Sequence, residues 1–372
     1  MDHSWQYFAN DGQKKIISLL KEWHDTNPDS GVYAMVAEAD KEIVYALQKV
    51  CREVGTQLIG GVFPQLVVSS QLKERGVLLL RLDTMPKYVL SGDLTTSEAL
   101  EQLLQLLQQS LKRDEKKTLF MLFDGLLPNI ASILERCYLE MADRVSYEGA
   151  NAGSESFHSM SCLFDRERFE KNSVLAVLFP QSQNMFIGHG YSLPDKLTSA
   201  TSSSENCIQS IDWRPAFEVY QELATAQYGV SVTKDNFYSV GVKFPLGIVR
   251  ANGEVLVRIP VALMEDGSLL CTGEVPENSL LTLLESNERE MMQGVMALAE
   301  RVAKSNLPQG ITFYCAGRKL FLGSVKSEEE LKVFSQHAGE VNGAISLGEI
   351  GSLKNGGYPL FHNGALVHCS CL

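Results

Sequence analysis

The sequence lacks the common signatures of nucleotide-binding and hydrolytic enzymes. It contains no Gly-Lys-Ser/Thr phosphate loop, no Gly-x-Ser-x-Gly nucleophile elbow and no His-Glu-x-x-His metalloprotease helix. Its apolar runs are short, because stretches such as 77–80 and 119–123 have the length of strands and fall far below the ~20 residues that cross a bilayer. The sequence therefore predicts neither a familiar catalytic class nor a membrane-spanning protein.

Positive charge is also scarce, with 33 Lys and Arg against 45 Asp and Glu and a net charge of -12. Nucleic acids and anionic membranes are bound by clustered Lys and Arg, so neither partner is expected. The first residues show neither the basic nor the apolar part of a secretory signal, and the eight cysteines follow no disulfide-framework spacing. These features predict a cytoplasmic protein with free thiols.

What the chain does contain is an ordinary globular composition and alternating helix and strand patterns over 372 residues. This length favours two domains of about 150 to 190 residues. The predicted fold class is α/β (mixed α+β), with two domains that are each a mixed β-sheet flanked by helices. We predict an N-terminal helix within 1–29 and domains at 30–206 and 207–372, with a Ser/Thr-rich linker at 194–206 and paired strands at 310–314 and 319–323.

Two isolated residues stand out as possible ligand contacts. His189 ends a strand-like segment between Gly188 and Gly190, which would leave room for a flat ligand such as haem, with the imidazole on the iron. A half-buried histidine at the end of a strand is the alternative. Arg258 lies in an apolar strand and needs a partner, either a carboxylate such as Glu274 or an anionic ligand.

The C-terminal half also holds polar groups that support two further hypotheses. Cys315 with Arg318 and either Glu349 or His362 could form the centre of a cysteine-dependent enzyme, if a neighbour lowers the thiol pKa. His362, His368, Cys369 and Cys371 are residue types that bind zinc, although the Cys-Ser-Cys spacing at a chain end is not that of usual structural zinc sites.

Several short segments, taken in order, resemble the FIST family of sensory domains found in F-box and intracellular signal transduction proteins. The N-terminal segments are QLIGGVFP at 57–64, the Gly-rich run ending in SF at 156–157, CLF at 162–164 and IGHG at 187–190. The others are DWRPAFEVY at 212–220, FPLG at 244–247, GEVP at 273–276, LGEI at 347–350 and PLFHN at 359–363. The resemblance covers the chain from about residue 31.

This resemblance implies a two-domain sensor that binds a small ligand and acts on a separate partner. Members are coupled to histidine kinases, diguanylate cyclases or chemoreceptors, and free-standing members include haem-binding nitric-oxide sensors. The implied partner is a cytoplasmic histidine kinase or a cyclic-di-nucleotide signalling enzyme. The implied cofactor is haem b, held non-covalently through His189 because the sequence has no Cys-x-x-Cys-His attachment motif.

The resemblance also gives a set of candidate binding residues and leaves alternatives open. At motif positions, the ligand-binding candidates beside His189 are Arg258, Cys315, Arg318, Glu349, His362 and Asn363. No residue is assigned a catalytic role. The alternatives are a sensor of an amino-acid-like molecule, an unrecognised cysteine-dependent enzyme and an interaction scaffold without a ligand.

Overall fold

A computed structural model describes residues 5–9, 13–112, 115–180, 185–305, 310–352 and 357–370. Its α-helices are α1 (Gln13–Thr26), α2 (Ile43–Val54), α3 (Ser97–Ser110), α4 (Ile130–Met141), α5 (Ala216–Tyr228), α6 (Phe237–Lys243), α7 (Glu288–Lys304) and α8 (Ala316–Ala338). Short 3-10 helices cover Glu38–Asp40 and Ala142–Arg144.

The strands of the first half are β1 (Trp5–Phe8), β2 (Gly31–Ala37), β3 (Gln57–Phe63), β4 (Leu66–Val68), β5 (Gln71–Lys73), β6 (Val77–Leu82), β7 (Lys87–Leu90), β8 (Lys117–Asp124), β9 (Val145–Ala152), β10 (Leu163–Asp165), β11 (Phe169–Glu170), β12 (Val174–Phe179) and β13 (Met185–Gly188). Those of the second half are β14 (Thr198–Ser204), β15 (Cys207–Ile211), β16 (Arg214–Pro215), β17 (Leu246–Val249), β18 (Val255–Arg258), β19 (Pro260–Leu263), β20 (Leu269–Cys271), β21 (Leu280–Leu283), β22 (Ile311–Cys315), β23 (Gly343–Ser346), β24 (Glu349–Gly351), β25 (Leu360–His362) and β26 (Leu366–Cys369).

One structural unit occurs three times along the chain, as strand, helix, strand, helix, strand, hairpin and strand. Repeat 1 runs from β1 to β6, repeat 2 from β7 to β12, and repeat 3 from β13 to β26. In each repeat the two strands that flank the second helix are parallel: β2 with β3, β8 with β9, and β22 with β23. Repeat 3 differs because a long insertion separates β13 from α7.

Each repeat completes its neighbour's sheet, so the three six-stranded sheets form a cycle. Sheet I has the order β1-β6-β2-β3-β10-β11, sheet II β7-β12-β8-β9-β24-β25, and sheet III β13-β26-β22-β23-β4-β5. The hairpin of repeat 1 thus joins sheet III, that of repeat 2 joins sheet I, and that of repeat 3 joins sheet II. Pairing between distant segments ties the two halves of the chain together.

The insertion in repeat 3 forms a separate antiparallel sheet, here sheet IV, with the strand path β18-β17-β21-β14-β15-β20-β19 and β16 beside β15. Helices α5 and α6 pack on it around Tyr220, Leu223 and Phe237. Sheet IV therefore has a core of its own.

The main core lies between the inner faces of sheets I, II and III. There Phe313 of sheet III lies 5.8 Å from the ring centroid of Phe63 and 6.1 Å from that of Phe120, so one aromatic side chain of each repeat meets at the centre. The outer face of sheet II is covered by α3 and α4, and the outer face of sheet III by α7 and α8. This arrangement confirms the predicted fold class, a mixed α/β protein of two domains.

Two local predictions are wrong. The segment 194–206 is not a linker, because β14 occupies Thr198–Ser204 and pairs with β15 and β21. The segment 319–323 is not a strand but lies in α8, whose backbone breaks at Gly323 with φ 78°. The predicted boundary after residue 206 falls in the turn that joins β14 to β15.

Candidate functional site

The carboxyl ends of four parallel strands converge on one cavity. The segments that follow β8, β9, β22 and β23 all contribute to its walls, and sheet IV closes the opposite side. In open α/β sheets, ligands bind outside the carboxyl ends of the strands. The main chamber measures about 300 Å³ and is lined by Gly125, Leu126, Leu127, Ile130, Phe157, Asn206, Val261, Ala262, Leu270, Cys271, Thr272, Gly273, Leu347 and Phe361.

A small recess of about 20 Å³ adjoins this chamber and shares Phe157, Val261, Thr272 and Leu347 with it. The rest of the recess is formed by Glu155, Tyr238, Ile259, Cys315, Ala316, Gly317 and Asn363. The cavity therefore combines mainly apolar walls with a few polar groups, which Glu155, Cys315 and Asn363 supply in the recess. A small molecule with an apolar body and a polar head matches this division.

Cys315 and Glu349 form a buried pair beside the recess. The thiol lies at the start of α8, where its sulfur accepts the Gly364 N–H at 3.1 Å, and the Glu349 carboxylate accepts the Ser346 hydroxyl at 2.6 Å. Burial and the nearby Glu349 raise the pKa of Cys315 to about 12. Burial likewise raises the pKa of Glu349 to about 8, although its hydrogen bonds to Ser346 and Cys315 oppose the shift. At neutral pH this geometry holds a thiol and not a nucleophilic thiolate.

The strand register shows how unusual Glu349 is. It pairs with Ala150 of β9, and the matching positions in the other two repeats are Leu163 opposite Gly61 and Leu66 opposite Ala344. Two repeats thus place leucine where repeat 3 buries a carboxyl group. A buried ionisable group costs stability relative to leucine, so its presence indicates a role other than packing.

Asn363 supplies the unsatisfied polar group of the recess. Its side chain lines the recess and the residue is 1% exposed. The Oδ1 atom has no hydrogen-bond partner among the described residues. Buried amide oxygens are nearly always hydrogen-bonded in folded proteins, so a bound donor would relieve this cost.

Arg318 lies in the first turn of α8, directly after Cys315, and its guanidinium is hydrogen-bonded to other groups of the protein. Its Nε and Nη2 donate to the Glu330 carboxylate at 2.7 and 2.8 Å, and Nη2 also donates to the Met291 carbonyl at 3.0 Å. Although burial opposes it, the Glu330 carboxylate raises the pKa of Arg318. These contacts join α8 to α7 and leave the guanidinium no group directed at the cavity.

Arg258 stabilises the chamber wall through carbonyl groups. Its Nε donates to the Glu274 carbonyl at 2.9 Å and its Nη1 to the Phe361 carbonyl at 3.0 Å, while the guanidinium lies 5.5 Å from the centre of the Phe361 ring. The expected pairing with the Glu274 carboxylate is therefore not formed. Burial lowers the pKa of Arg258 to about 10, and burial together with Arg258 lowers the pKa of the neighbouring His362 to about 3.

Two contacts join repeat 2 to repeat 3 and its insertion beside the chamber. The Glu274 carboxylate accepts the Ala131 and Ser132 N–H groups at 2.5 and 3.2 Å, at the start of α4. Glu155 and Lys319 form an ion pair at 3.2 Å beside the recess. These contacts add to the pairing of β24 with β9, so a molecule in the cavity would lie between parts of the chain that touch one another at its rim.

His189 lies away from the cavity, and its surroundings do not fit haem. Nδ1 accepts the Tyr191 N–H at 3.2 Å, and His189 lines neither the chamber nor the recess. Burial and the charge of Arg318 lower its pKa. Gly190 instead allows α7 to pack closely, since a Cβ at this position would lie 2.6 Å from the Met291 Cα.

The C-terminal residues proposed for zinc are distributed over two strands. His362 is on β25, whereas His368 and Cys369 are on β26, where the His368 Nδ1 lies 3.0 Å from the Thr312 hydroxyl. Cys371 lies outside the described residues. Within the part of the chain that the structure describes, no group of three or more His, Cys, Asp or Glu side chains is arranged to hold a metal ion.

Comparison with known families finds two consecutive domains in the chain. The profile of the FIST N domain matches residues 32–214, and that of the FIST C domain matches residues 216–352. The chain belongs to the FIST family. FIST domains are sensory domains that bind small ligands in signal transduction. The FIST N match covers repeat 1 from β2 onward, repeat 2, β13 and the first strands of the insertion, and the FIST C match covers most of the insertion and much of repeat 3.

Two other findings bear on the classification of this FIST protein. No curated protein matches the chain. Among the described residues, no helix has the length and apolar character needed to cross a membrane.

The sequence candidates are only partly brought together. Cys315 and Asn363 line the recess and Glu349 lies behind it, whereas Arg318, Arg258 and His362 support the walls and His189 is elsewhere. Sequence reasoning missed Phe157, Thr272 and Leu347, which are shared by both parts of the cavity. The available signal was positional: Phe157 and Leu347 follow parallel strands, but only the topology shows that these strands end at the same place.

Proposed function

We propose that this FIST protein senses a small amphipathic molecule, of amino-acid size, that binds between the strand ends and sheet IV. The observation that carries the proposal is the convergence of four parallel-strand ends on one cavity, whose chamber adjoins a recess lined by Cys315 and Asn363. The apolar part of the ligand would lie against Phe157, Leu347 and Phe361. Its polar head would enter the recess and donate a hydrogen bond to Asn363 Oδ1.

The position of the proposed ligand site indicates how binding would be transmitted to a partner protein. The chamber is lined by repeat 2, repeat 3 and sheet IV, and Glu274 and the Glu155–Lys319 ion pair connect these parts. A ligand that fills the space would favour one relative position of the parts over others, in proportion to its difference in affinity. We propose that a separate signalling protein, a histidine kinase or a cyclic-di-nucleotide enzyme, reads this position. Family membership supports this class of partner.

Calorimetric titration of the full chain with the twenty amino acids and with short-chain carboxylic acids tests the ligand site. We expect at least one of these probes to bind, and Ala262→Trp, which fills the chamber, to weaken binding at least tenfold. Asn363→Leu should have a similar effect. The matched control is Ala303→Trp on the exposed side of α7, which should bind as wild type. Equal binding by Ala262→Trp and wild type would reject this cavity as the site.

Haem with nitric oxide is the second ligand to test, because the family resemblance implies it. Haemin titration of the full chain should produce no Soret band that depends on His189, given the helix packed beside that residue. A Soret band that shifts with nitric oxide and is lost in His189→Ala would instead establish a haem sensor. It would also show that α7 moves away from β13 when the cofactor binds.

A further inference from the structure

A second, larger cavity lies on the surface of repeat 2, away from the ligand chamber. It is a groove of about 910 Å³ between strand β7 and helix α3. Its walls are Gln57, the continuous segment 85–92, Arg168, and Ala99, Gln102, Leu103, Leu106, Gln109 and Ser110 of α3. A strand contributes consecutive residues to a groove when its backbone edge forms one wall. We name this cavity the β7–α3 groove.

Strand β7 is the last strand of sheet II, so one of its edges lacks a partner strand. Ser91 N–H donates to the Val174 carbonyl of β12, and in an antiparallel pair the bonded positions alternate. Tyr88 and Leu90 therefore direct their backbone groups away from β12. The Leu90 carbonyl confirms this direction, since it accepts a hydrogen bond from Arg168 Nη2 at 2.5 Å.

The opposite wall is one face of α3, because its lining residues recur at helical spacing. Leu106 is 46% exposed there, which is high for leucine on a face that points toward a sheet. The matching edge in repeat 3 is closed, since glycines at 190 and 294 allow α7 to approach β13: a Cβ at Gly294 would lie 2.7 Å from the His189 carbonyl. Helix α3 has no glycine and does not close the β7 edge.

The charges of the groove favour one kind of occupant. Among the described residues, the charged side chains that line it are Lys87 and Arg168, in a protein with a net charge of -12. Arg168 also contacts Asp165 at 3.3 Å, whereas Lys87 forms no ion pair within the described residues. A second copy of the chain would add another Lys87 and another Arg168 to the same small interface, with no acidic lining residue of the groove to pair with them.

We propose that the β7–α3 groove binds an extended peptide segment of a partner protein, in which apolar and acidic residues alternate. The peptide would pair as an added strand with the outward backbone groups of Tyr88 and the Leu90 N–H, while the Leu90 carbonyl keeps its bond to Arg168 or exchanges it for the peptide. Side chains of one parity would then contact Leu106 and Leu103 on the α3 side, which Lys87 and Val89 of β7 also face. Those of the other parity would point to the side of Tyr88 and Arg168, where acidic groups are favoured, and Lys87 adds positive charge to the groove. Main-chain hydrogen bonds give such complexes affinity, and the side-chain contacts select the sequence.

The test uses the full chain and a fluorescein-labelled octapeptide of alternating valine and glutamate, measured by anisotropy. Two further probes are the same peptide with lysine in place of glutamate and a version N-methylated on the face that would pair with β7. We expect micromolar binding of the acidic peptide and at least tenfold weaker binding of both other probes. Lys87→Glu should weaken binding of the acidic peptide at least tenfold.

Leu106→Glu should weaken binding at least fivefold, and its matched control is Leu320→Glu on α8, where the leucine is 48% exposed. Circular dichroism checks that both variants fold. No binding of the acidic peptide, equal binding of the lysine peptide, or equal binding by Leu106→Glu and Leu320→Glu would overturn the proposal. A concentration-dependent dimer that Leu106→Glu abolishes would overturn it in favour of a second copy.

Discussion

Repeats 2 and 3 share one topology but treat the same edge of their sheets in opposite ways. In repeat 3, glycines at 190 and 294 let α7 lie directly against β13. In repeat 2, α3 carries leucine and glutamine toward β7 and leaves a groove of about 910 Å³. The comparison shows that residue size at the helix–strand contact, and not the strand order, decides whether an edge is closed or available to a partner.

The two repeats also fasten their paired helices differently. In repeat 3 the buried Arg318 joins Glu330 of α8 to the Met291 carbonyl of α7. In repeat 2 the equivalent helices are joined by an exposed pair, Arg136 with Glu101, at 2.6 Å. Repeat 3 therefore has a rigid helix pair behind the ligand recess, whereas the helix pair of repeat 2 is held mainly by its apolar contacts with sheet II.

The largest expected effect comes from removing the carboxylate of the ion pair that joins the two helices. Glu330→Gln leaves Arg318 buried without a carboxylate and should lower the free energy of unfolding by about 4 kcal/mol. Its counterpart in repeat 2, Glu101→Gln, should lower it by less than about 1 kcal/mol because that pair is exposed. Urea unfolding of both variants measures the contrast. Similar losses for the two would show that burial does not distinguish these ion pairs.

A second prediction concerns the closed and open edges. Gly190→Val would force a side chain into the Met291 backbone and should cost about 2 kcal/mol. Ala99→Val in the β7–α3 groove adds the same kind of bulk where there is space, so the cost should stay near about 0.5 kcal/mol. Thermal unfolding compares them. A larger loss for Ala99→Val would mean that α3 seals the β7 edge in solution.

A third prediction concerns how stability depends on pH through Glu349, the carboxyl group that repeat 3 has in place of leucine. The folded pKa of Glu349, about 8, lies above its ordinary value of 4.5. Its contribution is therefore fully present below pH 4.5 and is lost as the pH rises toward 8 and above. Compared with Glu349→Gln, wild type should lose up to about 1.4 kcal/mol more per pH unit within this window. Parallel curves of unfolding free energy against pH would contradict the assignment.

The smallest expected effect is a difference in alkylation rate between the buried thiol of Cys315 and a more exposed thiol. Because burial raises the pKa of Cys315 to about 12, iodoacetamide at pH 7.5 should modify it more slowly than the partly exposed Cys207. Peptide mass spectrometry over time gives both rates. Rapid, selective modification of Cys315 would favour the cysteine-dependent enzyme considered from the sequence.

Parts of the fold could be predicted because they depend on neighbouring residues. The strand Val174–Phe179 is a continuous apolar run, and α7 carries an apolar face with an Asn287 side chain that accepts the Glu290 N–H at its start. The segment 319–323 was predicted wrongly because its apolar residues suit a strand as well as a helix. There the packing of Phe321 and Leu322 against a buried cluster that includes Met291 of α7 decided the outcome.

The threefold repetition was not apparent from the sequence, and the reason is physical. Each hairpin pairs with a strand of another repeat, as Glu349 of β24 does with Ala150 of β9, nearly two hundred positions away in the chain. Such pairing depends on how whole sheets meet and not on local propensity. The ligand cavity depends on the same meeting of sheets, so the segments that contain Phe157 and Leu347 could be recognised from the sequence while their contact with one cavity could not.

The sequence by itself was enough to establish the mixed α/β class, the acidic charge and the FIST resemblance, and to draw attention to the open space that Gly188 and Gly190 leave beside His189. Only the tertiary structure decided what approaches there, and at Gly190 it is the backbone of α7. A glycine in the sequence indicates only that a side chain is missing at that position. The group that lies in the resulting space belongs to a distant part of the chain. For the same reason, Cys315 and Asn363 could be named from motifs, while their common recess appeared only when the strand ends were brought together.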